Sequence, residues 1–144
     1  KHKLKIIILR PSNVYGPNQK SFWLIPELIK KVRKKYITIN NLQIKRDLVF
    51  VDDLVDAIIK SIYSNHKFEI INIGSGKSYS INKIINTIQK ILKKRTFITS
   101  KNLIRKNEIL KTQLDIKKAK EKLNWRPIWS LESGLRFIIK KKNI

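Results

Sequence analysis

Arg46 and Asp47 stand together at the head of the segment Lys45–Ile62, and four of the chain's five aspartates fall between Asp47 and Asp56. Acid is scarce in a chain of 144 residues with 33 Lys and Arg against 10 Asp and Glu, so this placement is informative. A guanidinium fixed at the mouth of a buried strand can meet an anionic ligand through a two-pronged contact. Simple pairing with a neighbouring acid is the competing reading. A second stretch, Gly74-Ser75-Gly76-Lys77-Ser78 between a strand and a helix, mimics a phosphate-cradling loop. The pattern G-x-x-x-x-G-K-S fails, because its first glycine would fall at Ile71, inside the strand. The glycines there read as permission for a tight turn. Metal chemistry has little to work with: the chain has no cysteine, and only His2 and His66 as histidines.

These groups need elements to hold them, and the apolar spacing predicts an α/β chain. Leu48 to Val51 suit a strand, and Leu54, Val55, Ile58, Ile59 and Ile62 follow at helical spacing, with Asp52 expected as cap and Asp53 and Asp56 in the first turn. Ile6 to Leu9 is a continuous apolar run, which reads as a strand buried on both faces of a parallel sheet. Such a strand needs neighbours, and with no methionine in the chain the expectation is that sequence precedes Lys1. It leads into the loop Arg10–Pro17, at the carboxyl end of a strand, where open parallel sheets bind ligands. A helix with Pro26 in its first turn follows, with Leu28, Ile29, Val32 and Tyr36 on one face. Ile37 to Ile39 form a short strand, and Asn40-Asn41 a turn that tolerates a left-handed residue. Phe68 to Ile73 make another strand, Ser80 caps a helix burying Ile81, Ile84, Ile85 and Ile88, and Thr96 to Thr99 form a last strand. Lys101 to Lys111 is polar and irregular; Asp115 caps a short helix, Asn124 to Pro127 break it, and Ser130 caps a final helix in which Gly134 signals close backbone contact.

The net charge of +23 raises nucleic acid as a partner. The lysines are spread over nearly every predicted helix without aromatics interleaved as stacking platforms, so no specific nucleic-acid binding is expected. No apolar run reaches the length of a membrane span, and no membrane partner is expected. The lack of cysteine fits a reducing compartment, with a cytoplasmic location expected.

Four pieces, in order, resemble the C-terminal half of the NAD-dependent nucleotide-sugar epimerase/dehydratase family, the extended short-chain dehydrogenase/reductases. They are Leu9-Arg10-Pro11-Ser12-Asn13-Val14-Tyr15-Gly16-Pro17; Arg46-Asp47-Leu48-Val49-Phe50-Val51-Asp52-Asp53; Ile71-Asn72-Ile73-Gly74-Ser75-Gly76; and Asp115 with Lys118-Ala119 and Leu123-Asn124-Trp125-Arg126-Pro127. The resemblance implies that residues 1–17 end a Rossmann-like domain. Residues 18–144 would form a small mixed α/β domain that binds a nucleoside-diphosphate sugar, with the strand at 68–76 returning to the Rossmann sheet. NAD would be held mainly by an upstream half that also carries the glycine fingerprint and the catalytic Tyr-x-x-x-Lys. The pairs Tyr63/Lys67 and Tyr79/Lys83 match that pattern by spacing but not by position, so no catalytic residue is assigned here.

By the same resemblance Asn13, Arg46 and Arg105 would contact the diphosphate, Glu108 the ribose, and Leu24 and Ile25 the base, with Thr38 and Asn40 also among the substrate-binding residues and Val14 and Tyr15 toward the nicotinamide. Asn40-Asn41-Leu42 departs from the family, which commonly has an aromatic followed by Gly-Asp-Gly there, so base stacking at position 40 is lost. Whether the full-length enzyme is a homodimer stays open, since the family's interface helices would lie upstream, and the chain alone is expected to be inactive. A non-catalytic remnant or binding module, and a basic nucleic-acid binder, are the rival readings.

Overall fold

Residues 4–141 are described by a computed structural model. Strand β1 (Ile6–Pro11) runs parallel to β6 (Phe68–Ile73), β2 (Asn13–Tyr15) parallel to β5 (Leu48–Phe50), and β3 (Tyr36–Ile39) parallel to β8 (Phe97–Ser100). A short antiparallel pair joins β4 (Lys45–Arg46) to β7 (Tyr79–Ser80). The helices are α1 (Leu24–Lys31), α2 (Val51–Ile62), α3 (Ile81–Leu92), α4 (Lys117–Leu123) and α5 (Leu131–Lys141). The architecture is α/β with short parallel pairs, as the alternating apolar segments predict.

Strand β5 divides the core. Leu48 and Phe50 pack with Ile25, Ile29, Ile85, Leu135 and Ile138, while Val49 points the other way into Ala57, Ile71, Ile73, Ala119 and Trp125. Alternation of side chains along a strand makes this possible, and cover on both faces explains why all three residues of β5 are buried. Between β1 and β2 the chain changes partners. The Ser12 amide donates to Ile73 at the end of β6, and the Asn13 amide donates to Asp47 just before β5.

Several expectations are corrected. Helix α2 begins at Val51 with Phe50 as N-cap and no side-chain cap, so Asp52 lies in the first turn beside Asp53. The side of α2 expected to face inward is largely outside: Val55, Ile58, Ile59 and Ile62 are exposed, and Asp53 and Ala57 are buried instead. The small Ala57 face allows close packing of α2 against β5 and α4. Strand β1 is not buried on both faces: Ile6 and Ile8, alternating with half-buried Ile7 and Leu9, are exposed on one face, and β6 is its only paired neighbour among the described residues. Asn40-Asn41 turns without a positive φ; the Asn41 carboxamide accepts from the Gln43 amide at 2.8 Å instead. Helix α4 starts after Ile116, although the Asp115 carboxylate still accepts from Lys117 N at 2.8 Å.

Other expectations hold in detail. Ser80 Oγ accepts from Lys83 N at the start of α3, and Ser130 Oγ accepts from Ser133 N at the start of α5. A Cβ on Gly134 would collide with the Tyr15 hydroxyl, which explains a glycine inside α5. No helix among the described residues is long and apolar enough to cross a membrane.

Candidate substrate cleft

Asp47, the acid beside Arg46, is not its partner. The carboxylate is fully buried and holds three loops together. Its Oδ1 accepts from the Ser75 amide at 2.8 Å, from Ser75 Oγ at 2.7 Å and from Ser12 Oγ at 3.3 Å, and its Oδ2 accepts from Leu114 N at 3.0 Å. A buried carboxylate is tolerable only with such a set of donors. A Cβ on Gly74 would stand 2.9 Å from Asp47 Oδ2, so the first glycine of the Gly-Ser-Gly loop makes room for this carboxylate. The loop then enters β7, with no helix directly behind Lys77 and Ser78, which agrees with reading it as a turn.

With Asp47 holding the backbone, Arg46 projects into a cleft of about 760 Å³. One Arg46 Nη donates to Glu108 Oε1 at 2.5 Å, and the other donates to the carbonyls of Ile109, at 2.6 Å, and Lys45, at 3.0 Å. Both partners of the Arg46–Glu108 ion pair keep under a fifth of their side-chain surface exposed. Arg105 lines the same cleft from the irregular segment after β8, and it has no side-chain hydrogen bond or ion pair among the described residues. Asn102 and Asn107, both at positive φ, turn that segment on either side of it.

Of the residues expected at the site, Asn13, Val14, Tyr15, Leu24, Ile25, Asn40, Arg46, Arg105 and Glu108 all border this cleft. Thr38 does not. Alternation along β3 buries Ile37 and Ile39 and turns Thr38 to the outside. Tyr15 borders the cleft as wall: its ring meets Phe50 edge-on at 5.4 Å and its hydroxyl donates to the Ser130 carbonyl at 3.4 Å. Burial, then the nearby Tyr79 and Asp53, raises its pKa well above the ordinary tyrosine value, so it stays protonated at neutral pH.

The cleft has lining residues that spacing did not single out. Gln19 donates to the Val14 carbonyl at 3.1 Å, and its buried Oε1 has no hydrogen-bond partner among the described residues. Trp23, just before α1, lines the mouth and is half exposed, with Phe22 at 5.5 Å. Exposed neighbouring aromatics were the available signal for it.

Comparisons with known proteins identify the family. A family model described as GDP-mannose 4,6 dehydratase matches residues 1–138. The chain belongs to this family. It corresponds to the C-terminal half of these NAD-dependent nucleotide-sugar epimerases and dehydratases, and spans about half the length of the curated relatives it matches. It is 37% identical to a dTDP-4-dehydro-6-deoxyglucose reductase of Escherichia coli, over 94% of this chain and 44% of that protein. It is 35% identical to a UDP-glucuronate 4-epimerase of Thermodesulfobacterium geofontis, over 98% of this chain and 45% of that one. Among solved structures, the UDP-glucose 4-epimerase of Thermotoga maritima with UDP-glucose superposes with a TM-score of 0.80 at 31% identity, covering 96% of this chain and 47% of that chain. The UDP-glucuronic acid 4-epimerase of Bacillus cereus, in complex with UDP-glucuronic acid and NAD, gives 0.82 at 30% identity, covering 94% and 45%. Within this epimerase/dehydratase family, the chain's fold is thus that of the C-terminal part.

Proposed function

We propose that this chain is the substrate-binding half of an NAD-dependent nucleotide-sugar epimerase or dehydratase and that its cleft holds a nucleoside-diphosphate sugar. The observation that carries the reading is the convergence of Arg46 and Arg105, 59 positions apart in sequence, on one cleft with Asn13, Glu108 and an apolar wall of Leu24 and Ile25. Two guanidiniums suit a diphosphate, since each presents a planar fork to phosphate oxygens. The Asn13 amide adds a neutral donor. Glu108 is an acceptor for ribose hydroxyls, Leu24, Ile25 and Asn40 border the base, and Thr38 points outward from β3 without lining the cleft. Val14 forms the wall toward the nicotinamide end, with Tyr15 packed behind it.

The described residues do not make a dinucleotide site of their own. The Gly-Ser-Gly turn after β6 is filled by the Asp47 carboxylate, where a pyrophosphate would need open backbone amides. Residues 1–17 and β6 serve as the border with a Rossmann-type half, and the chain alone is inactive. What this chain contributes is binding and orientation of the sugar nucleotide against a cofactor held elsewhere.

Calorimetry with UDP at physiological salt tests the reading. Arg46→Ala weakens binding by about 2 to 4 kcal/mol, as for loss of a partly buried charge contact. Exposed Arg105 loses about 1 kcal/mol on the same change, and Asn13→Ala about 1 to 2 kcal/mol. Lys117→Ala, a change of the same sign on α4, leaves affinity alone. Equal losses at Lys117 and Arg46 mean that bulk charge alone is felt, and the site is withdrawn.

A further inference from the structure

Far along the chain from the cleft motifs, two basic runs, Arg33-Lys34-Lys35 and Lys93-Lys94-Arg95, are brought to one end of the molecule by the parallel pairing of β3 with β8. Backbone and side-chain bonds fasten them. Phe97 N donates to the Lys35 carbonyl at 2.9 Å, and the buried Thr96 hydroxyl donates to the Val32 carbonyl at 2.6 Å. All six cations are exposed, and none forms an ion pair among the described residues. The surrounding sequence offers nothing to neutralise them: neither segment 28–46 nor segment 70–107 contains an aspartate or glutamate.

Between the runs sits an exposed aromatic pair. Tyr36 and Phe97 face each other across the two strands with ring centroids 5.3 Å apart and planes 21° from parallel. They keep 66% and 51% of their surface exposed, which is unusual for rings that a strand end could have turned inward. Lys35 Nζ lies 5.5 Å over the Tyr36 ring and Arg95 Cζ 6.0 Å over the Phe97 ring. Two stacked aromatics beside six unpaired cations suit a layer of anionic headgroups over hydrocarbon. Single-stranded nucleic acid shares the charge, but it needs flat ring faces for its bases. Here each ring has its partner on one side and a cation over it.

We propose that the Tyr36–Phe97 end of this protein docks on anionic lipid headgroups, the six cations meeting phosphates and the two rings entering the interface. This surface is separate from the sugar-nucleotide cleft, and it concerns peripheral contact rather than a membrane span. It departs from the expectation that the chain has no membrane partner, because sequence order keeps the two runs 60 positions apart.

The test is co-sedimentation of the purified chain with vesicles of phosphatidylglycerol and phosphatidylcholine, and of phosphatidylcholine alone, at physiological salt. Binding is expected to the anionic vesicles only. Lys94→Glu with Arg95→Glu lowers the partition coefficient at least tenfold, and Tyr36→Ser with Phe97→Ser lowers it severalfold although charge is unchanged. Lys120→Glu with Lys140→Glu, the same charge change on exposed positions of α4 and α5, has a much smaller effect. Circular dichroism shows that each variant keeps its helices. Equal losses from the two charge-reversed pairs, no effect of removing the rings, or tighter binding to a single-stranded oligonucleotide that depends on the rings would each overturn the proposal.

Discussion

Arg46 already has partners, chief among them Glu108 at 2.5 Å, which a phosphate bound as proposed would have to share or displace. A carboxylate so close neutralises much of the guanidinium's field, so Glu108 both orients Arg46 and restrains it. Glu108→Gln keeps a neutral acceptor there and removes the charge. Affinity for inorganic pyrophosphate should then rise, by about 1 kcal/mol for a pair near the surface. Affinity for uridine, which brings a ribose and no phosphate, should fall or stay level. Calorimetry of the two ligands against both proteins separates these effects, and unchanged pyrophosphate binding would mean that Glu108 does not hold Arg46 back. Arg46 was legible in the sequence as a lone guanidinium among crowded acids. Its partner was not, because Glu108 lies 62 positions away and is brought close only where the 110–112 backbone pairs with Lys45. Asp47, the adjacent acid, has its carboxylate turned to Ser12, Ser75 and Leu114, a choice that depends on loops remote in sequence.

At the scale of elements, β6 and α4 are tied by Glu69, whose carboxylate meets Lys118 at 2.6 Å and Lys122 at 3.4 Å. The hydrogen bond from Lys118 holds the Glu69 pKa below its ordinary value against the opposing effect of desolvation, with the charge of Lys118 and then the contact with Lys122 adding to it. A folded-state pKa lower than the unfolded one means that the contribution is present above the ordinary glutamate range and lost as pH falls through the depressed value. Asp53 works in the opposite sense. Burial raises its pKa, despite amide donors from Ile128 at 2.9 Å and Trp129 at 3.2 Å, so its contribution is greatest in acid and declines as pH rises through its folded value. Melting curves of wild type and Glu69→Gln between pH 3 and 6 should therefore diverge above the ordinary glutamate pKa and converge below it. A constant gap across that range would mean that the ion pairs contribute nothing to the pH dependence. The elements themselves were largely readable, since apolar period and cap residues mark β1, β5, α3 and α5 within a residue or two, whereas α1 stops at Lys31 and Tyr36, expected on its inner face, is instead an exposed residue of β3. The two-residue strands β4 and β7 were not, because a pair of residues carries no period and owes its conformation to its neighbour.

Across the whole molecule, apolar surface is unevenly covered. Val55, Ile58, Ile59, Ile62 and Tyr63 along α2, Ile6 and Ile8 on β1, and Phe68 on β6 are all more than two-fifths exposed, Ile62 and Tyr63 most of all. Periodicity marked the α2 stripe as apolar, but it could not say what lies opposite, and among the described residues nothing covers it. Burial of one such side chain is worth about 1.5 to 3 kcal/mol, stabilisation that this face does not collect, so the isolated chain should melt at low temperature and self-associate. Two forces oppose each other in that association. The net charge of +23 repels copies at low salt, whereas the apolar face attracts them at any salt. Raising salt toward 1 M shortens the screening length to about 3 Å and removes the repulsion. Sedimentation velocity should consequently show association increasing with salt, and Ile62→Lys with Tyr63→Lys should suppress it while leaving the melting temperature nearly unchanged, because those two side chains are already mostly exposed. Association that weakens with salt would point to charge pairing instead, and a large fall in melting temperature in the double variant would mean that the α2 face is covered in solution.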